Sequence, residues 1–158
     1  MNVQQKNNEK GFTIIEVVLV LAIAGLIFLM VFIALPSLQR GQRDTQRKTD
    51  LSRALTKVSD YQSNNRNSLP SNWDDFTTRY LKAGGDTFVD PSGTDYDFQN
   101  PSVGITELTG EFSTENQGKI YVNTSATCGT DGHVVASGAR KVSLRLYLEG
   151  GGIACNSN

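Results

Sequence analysis

The sequence predicts an α+β fold in which one long N-terminal helix, half transmembrane and half amphipathic, packs on a small antiparallel β-sheet. Three patterns predict it: an uninterrupted apolar stretch at residues 17–35, apolar side chains at helical spacing at residues 51–61, and alternating apolar and polar side chains at residues 142–149. The chain then divides into residues 1–11, 12–35, 36–64 and a globular head of residues 65–158.

The composition argues against an enzyme. The 158 residues include 15 Lys and Arg against 16 Asp and Glu, so the net charge of -1 does not favour a nucleic-acid partner. There is one histidine, His133, and the sequence has no CxxC, GxxxxGK[ST] or GxSxG motif. We therefore expect no catalytic residues and no cofactor.

The apolar stretch at residues 17–35 is long enough to cross a membrane. At about 1.5 Å per residue it spans roughly 28 Å, close to the thickness of a bilayer's hydrocarbon core. A secretory signal places its cleavage site after the apolar stretch. Here a polar leader, residues 1–10, and the segment GFTIIE, residues 11–16, come before it. Cleavage after Gly11 would therefore keep the apolar helix in the mature protein.

Glu16 is the one carboxylate at the start of this apolar segment. An ionisable group in mid-membrane costs about 2.5–3.5 kcal/mol on translocon scales, so Glu16 is expected to have a partner. The nearby cation that cleavage would create is the α-amino group of Phe12. The alternative is that Glu16 extends to the lipid headgroups and has no further role.

Residues 11–16 and the apolar stretch after them resemble the class III signal of type IV prepilins and pseudopilins. The resemblance implies that prepilin peptidase recognises Gly11 and that Phe12 becomes the new, N-methylated first residue. It also implies that Glu16 pairs with the N-terminus of a neighbouring subunit during assembly. Gly25 lies where such helices commonly have a glycine, and Pro36 follows slightly later than the family's helix proline.

The resemblance implies a structural subunit of a type IV pilus-like extracellular filament, polymerised through its N-terminal helix after leader cleavage. Its expected partners are other copies of the chain, prepilin peptidase and the assembly machinery. The precursor would be a single-pass membrane protein and the mature subunit would lie at the cell surface. The alternatives are a pseudopilin of a type II-like secretion system and a DNA-uptake filament.

A count of flanking cations favours a further alternative, a signal-anchor protein whose body stays in the cytoplasm. Cytoplasmic flanks of membrane spans carry an excess of Lys and Arg. The leader has Lys6 and Lys10, whereas the span is followed by Arg40, Arg43, Arg47 and Lys48. We give the motif at residues 11–16 more weight than this count because it is more specific.

Residues 36–64 are expected to continue the helix as an amphipathic segment, with Pro36 and Gly41 as places where it kinks or loosens. Its apolar stripe contains Leu51, Ala54, Leu55, Val58 and Tyr61. The remaining faces carry charged residues: Arg47, Lys48, Arg53, Lys57 and Asp60. The stripe is expected to pack the helix on the head.

The head is predicted to contain a short helix at residues 73–81, capped by Ser71 or Asn72, and turns at residues 91–93 and 100–102. Strands are expected at residues 119–123 and 142–149, followed by a glycine turn and an edge segment that ends at Cys155. The inward side chains of the second strand are Val142, Leu144, Leu146 and Leu148.

Cys128 and Cys155 are an even pair in a domain with few apolar residues, placed outside the membrane, and this favours a disulfide. Two free thiols in a reducing compartment are the alternative. The enclosed segment would match the C-terminal disulfide-bounded region of many pilins.

Weaker patterns suggest further sites in the head. Asp86, Asp90, Asp95 and Asp97 could form a calcium loop, although their spacing is not that of an EF-hand and solvated acids are the alternative. His133 is expected to be a loop residue, and Asn123 begins a glycosylation sequon.

Charge is distributed unevenly along the chain. Residues 40–66 carry 7 basic and 3 acidic side chains, a net of 7 − 3 = +4, and residues 74–131 sum to 3 − 10 = −7. One hypothesis is that the basic helix of one subunit, through Arg43 and Arg47, contacts the acidic head of a neighbour and sets the filament register. The alternative is that both are solvated faces.

Overall fold

The structure, a computed structural model, describes residues 11–103 and 108–158. The chain divides into two compact units, Met1–Leu38 and Gln39–Asn158. The predicted leader lies outside the described residues except for Gly11. The elements are the helices α1 (Ile14–Asn64) and α2 (Trp73–Phe76), which a π-helical turn (Thr77–Leu81) continues, two 3-10 turns (Ala83–Gly85 and Thr130–Gly132), and the strands β1 (Asp97–Val103), β2 (Lys119–Thr124), β3 (Ala126–Cys128), β4 (Val134–Ala136), β5 (Val142–Tyr147) and β6 (Ile153–Ser157).

Helix α1 begins two residues after Phe12 and ends at Asn64, as the sequence predicts to within two residues. The helix continues through Pro36 and Gly41. By length and composition α1 is able to cross a membrane, since an 18-residue window within it has a mean hydropathy of 3.2. None of that window is buried inside the protein.

The part of α1 that belongs to the second unit buries one stripe of side chains at three- and four-residue spacing, which is one face of a helix. The stripe consists of Asp44, Arg47, Leu51, Ala54, Val58 and Gln62. Leu55 and Tyr61 pack at its margin, partly buried against the core. The apolar stripe is therefore confirmed. Placing Arg47 outside the buried stripe was wrong, because its guanidinium has buried carboxylate partners.

The main sheet has the strand order β1-β2-β5-β6. Strand β5 pairs antiparallel with both β2 and β6, whereas β1 pairs parallel with β2. The α+β class and the packing of a long helix on a small sheet are confirmed, and the parallel pair makes the sheet mixed. The head core joins α1 residues such as Leu51 and Val58 to sheet residues such as Ile120 and Leu144.

Residues 100–102, predicted as a turn, lie inside β1. The register of β1 against β2 shifts between Gln99 and Ser102, around Pro101. A proline lacks the N–H that a central strand needs but is tolerated at an irregularity of an edge strand. The turn prediction was wrong because the proline occupies such a position.

Strand β5 is buried on both faces. The predicted inward residues Val142, Leu144 and Leu146 join the core, and the alternate residues Ser143 and Arg145 are equally inaccessible. A second sheet, the β3–β4 pair, was not predicted from the sequence. Its strands are three residues long, too short to show a clear alternation.

The short helix after α1 was predicted correctly, and Asn72 is its cap. The Asn72 side-chain oxygen accepts hydrogen bonds from the backbone N–H groups of Asp74 and Asp75. This cap directs Trp73 and Phe76 into the core, where the Trp73 ring stacks on Phe98 at 5.2 Å between centroids. The helix therefore closes one side of the aromatic core.

Candidate functional site

The predicted processing residues and Glu16 lie together at the start of α1, whereas the other predicted assembly residues, Gly25 and Pro36, lie further along the helix. Gly11 and Phe12 precede the helix and are exposed, and Phe12 exposes 90% of its surface. Glu16 lies in the first turn of α1. The bond between Gly11 and Phe12 is therefore in an accessible, non-helical segment, as a peptidase substrate requires. Cleavage and methylation there stay predictions.

Glu16 and Thr13 form a capping box, which the sequence analysis missed. The Glu16 carboxylate accepts hydrogen bonds from the Thr13 backbone N–H at 2.9 Å and from the Thr13 hydroxyl at 2.6 Å. The Glu16 backbone N–H lies 3.4 Å from the Thr13 hydroxyl oxygen. The pattern Thr-x-x-Glu before an apolar run is the sequence signal of this arrangement. Glu16 thus has a role in starting α1 besides any role between subunits.

The apolar half of α1 presents large side chains outward along its length. Phe28, Met30 and Phe32 expose 68%, 72% and 77% of their surfaces, and Leu38 exposes 61%. A Cβ added to Gly25 would have no atom within 4 Å. A continuous apolar surface of this kind needs lipid or another apolar surface to cover it.

A cluster of charged side chains joins α1 to the head within the second unit. The Arg47 guanidinium donates to Asp90 from Nε at 2.6 Å and from Nη2 at 3.0 Å. Its Nη1 donates to Asp44 at 3.0 Å and to Glu149 at 3.3 Å. The side chains of Arg47 and Asp90 are 2% and 1% exposed, so this is a buried ion pair. The Phe112 ring lies 4.8 Å from the guanidinium carbon.

The same cluster attaches the turn between β5 and β6 to α1. Arg43 donates two hydrogen bonds to the Glu149 carboxylate, at 2.7 and 2.5 Å. The Asp44 carboxylate accepts from the backbone N–H groups of Glu149 and Gly150, at 2.8 and 2.7 Å. A Cβ at Gly150 would lie 2.9 Å from the Asp44 Oδ2, so a larger residue there would have to displace the Asp44 carboxylate.

The cluster changes the proton affinities of its members. The hydrogen bond from Arg43 lowers the pKa of Glu149, and hydrogen bonds from Arg47 add to the effect. Burial raises the pKa of Asp90, but hydrogen bonds from Arg47 and Ser92 outweigh it, so the pKa lies below the usual aspartate value. Both carboxylates are therefore ionised at neutral pH.

These contacts correct the register hypothesis for Arg47, which is not available to contact a neighbouring subunit. Arg47 is buried and its carboxylate partners belong to its own chain, so it has no surface to offer a neighbour. Arg43 is held by Glu149, and Arg53 contacts Asp86 in the same way. Part of the attraction between the basic helix and the acidic head is therefore satisfied within one chain, by Arg47 with Asp90 and by Arg53 with Asp86.

The four aspartates proposed for calcium have separate partners. Asp90 binds Arg47, Asp86 contacts Arg53, and Asp95 accepts a hydrogen bond from Lys82 at 2.7 Å. Asp97 accepts from the side chain of Gln99 at 2.5 Å. Among residues 11–103 and 108–158, no group of three or more His, Cys, Asp or Glu side chains is placed to hold a metal ion.

The structure also shows the exposure of two other residues of the head, His133 and Asn123. His133 is an exposed residue that follows a 3-10 turn, as expected for a loop. Asn123 is 1% exposed, and its side-chain oxygen accepts a hydrogen bond from Arg145 Nη2 at 2.8 Å. The sequon at Asn123 is therefore inaccessible on the folded head.

Cys128 and Cys155 form a disulfide with 5.8 Å between their Cα atoms. It connects β3 to β6 and so ties the small sheet to the main one. Disulfides persist in oxidising compartments, so the bond argues against the alternative in which the body stays in the cytoplasm.

Comparisons with known proteins bear on the N-terminal segment. Residues 6–32 match the family model described as the prokaryotic N-terminal methylation motif. Searches of curated proteins and of solved structures found no match to the chain. The matched residues contain the predicted cleavage site, Glu16 and most of the apolar stretch. Residues 6–32 of this chain carry the class III signal that is characteristic of type IV pilins and pseudopilins.

Proposed function

We propose that this protein is the structural subunit of an extracellular type IV pilus-like filament. The precursor is anchored in the membrane by α1, loses residues 1–11 to a prepilin peptidase, and then polymerises through the apolar half of α1. The observation that carries this proposal is the exposed apolar surface that follows the GFTIIE segment of a class III signal. The protein's role is mechanical, with no reaction of its own.

The exposed apolar surface of α1 suits both the membrane and the filament. Lipid covers it in the precursor, and the same surface of other copies covers it in the filament, so the side chains stay out of water throughout. Repetition of one head-to-tail contact that does not close gives a filament rather than a ring.

Gly25 supports close packing between helices. Glycine in a helix costs about 0.5–1 kcal/mol relative to alanine, and no described contact within the chain requires it there. Helices that approach closely in an apolar medium favour small residues at the contact. We assign Gly25 to the surface where a neighbouring α1 packs, with Pro36 near the end of that surface.

Glu16 is the residue whose charge would guide assembly. Cleavage converts the peptide nitrogen of Phe12 into a cationic amine, which the Glu16 carboxylate of a neighbouring subunit can neutralise. A buried carboxylate without such a partner is strongly unfavourable. A subunit that is added in the correct register therefore gains an ion pair, and a misplaced one leaves two charges unpaired.

The capping box makes a sharp test possible, because glutamine replaces glutamate in a capping box but carries no charge. We expect Glu16→Gln and Glu16→Ala to be cleaved and inserted normally and to yield few filaments by electron microscopy, when expressed with the peptidase and assembly machinery. Glu115→Gln, which removes an exposed carboxylate of the head, serves as the matched control and should assemble normally.

The two substitutions separate the possible roles of Glu16. If Glu16→Gln assembles as well as the unmodified protein while Glu16→Ala does not, Glu16 acts only by capping α1. Normal filament yield from both variants would remove Glu16 from assembly altogether.

The disulfide supports a location outside the cytoplasm, in agreement with a surface filament. A pilus subunit and a secretion pseudopilin share all the features described so far. We favour the pilus-like filament, and its detection on the cell surface separates the two roles.

A further inference from the structure

The turn at residues 148–152, which joins β5 to β6, keeps its own shape. The Leu148 N–H donates to the Gly152 carbonyl and the Gly151 N–H donates to the Leu148 carbonyl, both at 3.0 Å. Gly151 and Gly152 have φ values of +100° and +83°, which favour glycine. The turn is therefore a compact unit that does not need α1 to define its conformation.

Its attachment to α1 is made by charged groups. Glu149 is bound by Arg43 and Arg47, and Asp44 accepts the N–H groups of Glu149 and Gly150. By contrast, α1 is held on the rest of the head by the apolar residues from Leu51 to Val58 and by the buried pair of Arg47 with Asp90.

The three carboxylates of the cluster differ in their access to water. The side chain of Glu149 is 20% exposed, that of Asp44 is 12% exposed and that of Asp90 is 1% exposed. Protons from solvent therefore reach Glu149 most easily, and the Arg47–Asp90 pair is the most protected part of the cluster.

We propose that Glu149 is an acid-released latch, which on protonation lets residues 148–152 detach from α1 while the Arg47–Asp90 pair keeps α1 on the head. A protonated Glu149 no longer attracts Arg40, Arg43 and Arg47, and the two hydrogen bonds to Asp44 are too weak by themselves to keep the turn on α1. Release exposes Arg43 and the side of the Arg47 guanidinium that Glu149 contacts.

The charged groups around Glu149 determine whether its pKa is raised or lowered. Glu149 faces Arg40, Arg43 and Arg47 from α1, and it lines one groove with Glu111 and Phe112. On the far side of Arg47, Asp90 is close enough to Asp50 and Tyr96 to affect their ionisation.

The cations dominate around Glu149, so the pKa of Glu149 lies below its usual value. A carboxyl whose pKa is lowered by folding stabilises the contact above its unfolded pKa, about 4.3 for glutamate, and loses that contribution as the pH falls through the folded value. The latch is closed at neutral pH and opens only when the pH falls below the usual pKa of glutamate.

Amide hydrogen exchange of the full chain in detergent micelles tests the latch, because the N–H groups of Glu149 and Gly150 themselves make the contact. After correction for the intrinsic pH dependence of exchange, we expect these two amides to lose protection by about tenfold or more between pH 7 and pH 3. Amides of α1 residues 51–62 should stay protected over the same range.

Two variants remove the latch at pH 7. Glu149→Gln should bring the exchange of the two amides to the acid level and abolish its dependence on pH. Arg43→Gln removes the bidentate partner, leaves Glu149 in place and should also accelerate exchange at pH 7, so the test does not depend on one variant folding. Glu115→Gln, the control, should keep the unmodified profile.

Two results would overturn the proposal. One is unmodified protection and pH dependence in Glu149→Gln and Arg43→Gln, which would mean that the ion pairs do not hold the turn. The other is simultaneous loss of protection in residues 51–62 and in the turn as the pH falls, which would mean that acid unfolds the whole head.

Discussion

Arg47 is a buried cation of α1 with three carboxylate partners. Arg47→Met removes the cation from a buried carboxylate, and we expect the free energy of unfolding of the full chain to fall by about 3–5 kcal/mol at pH 7. Denaturant unfolding followed by fluorescence of Trp73, the single tryptophan, measures this change.

The control is Arg79→Met, which breaks an exposed pair with Asp75 on the short helix and should cost at most about 1 kcal/mol. The effect of Arg47→Met should also shrink in acid. Without Arg47, burial raises the pKa of Asp90, so the variant gains stability on protonation where the unmodified protein loses it. If Arg47→Met and Arg79→Met lowered the free energy of unfolding equally, the stabilising role given to Arg47 would be contradicted.

Residues differ in how far the sequence predicts their roles. Glu16 could be identified because a charge in an apolar run is costly wherever the run folds. Its Thr13 partner could also have been found, since a capping box depends only on local spacing. The role of Arg47 could not have been found from the sequence. Its partner Asp90 is 43 positions away, and only folding brings the two residues together.

At the scale of secondary structure, the disulfide joins the small sheet to the main one. Replacing Cys128 and Cys155 together by serine should lower the free energy of unfolding by about 2–4 kcal/mol, because the unfolded chain is no longer constrained by the loop. Unfolding of the oxidised and reduced unmodified protein provides the internal comparison. Two titratable thiols in protein taken from the cell surface would contradict the bond.

The elements that the sequence predicts well are those with long, regular patterns. Helix α1 and strand β5 follow from periodicity, and the cap at Asn72 follows from local hydrogen-bonding chemistry. Strand β1 was missed because Asn100-Pro101-Ser102 has the composition of a turn, and its parallel pairing with β2 depends on distant residues. The β3–β4 pair is too short to show a pattern.

On the scale of the whole molecule, the two units have opposite relations to water. The unit Gln39–Asn158 has its own apolar core, a buried ion pair and a disulfide, so it is complete in itself. The large apolar side chains of the other unit's helix are exposed, and such a surface needs lipid or another apolar surface to cover it.

The most direct test of this account is mass spectrometry of the subunit in filaments sheared from the cell surface. The account predicts that the mature N-terminal peptide begins at Phe12, carries one methyl group on its α-amino nitrogen and lacks residues 1–11. Filaments whose subunits still begin at Met1, or protein that stays in the membrane uncleaved although an active prepilin peptidase is present, would contradict it.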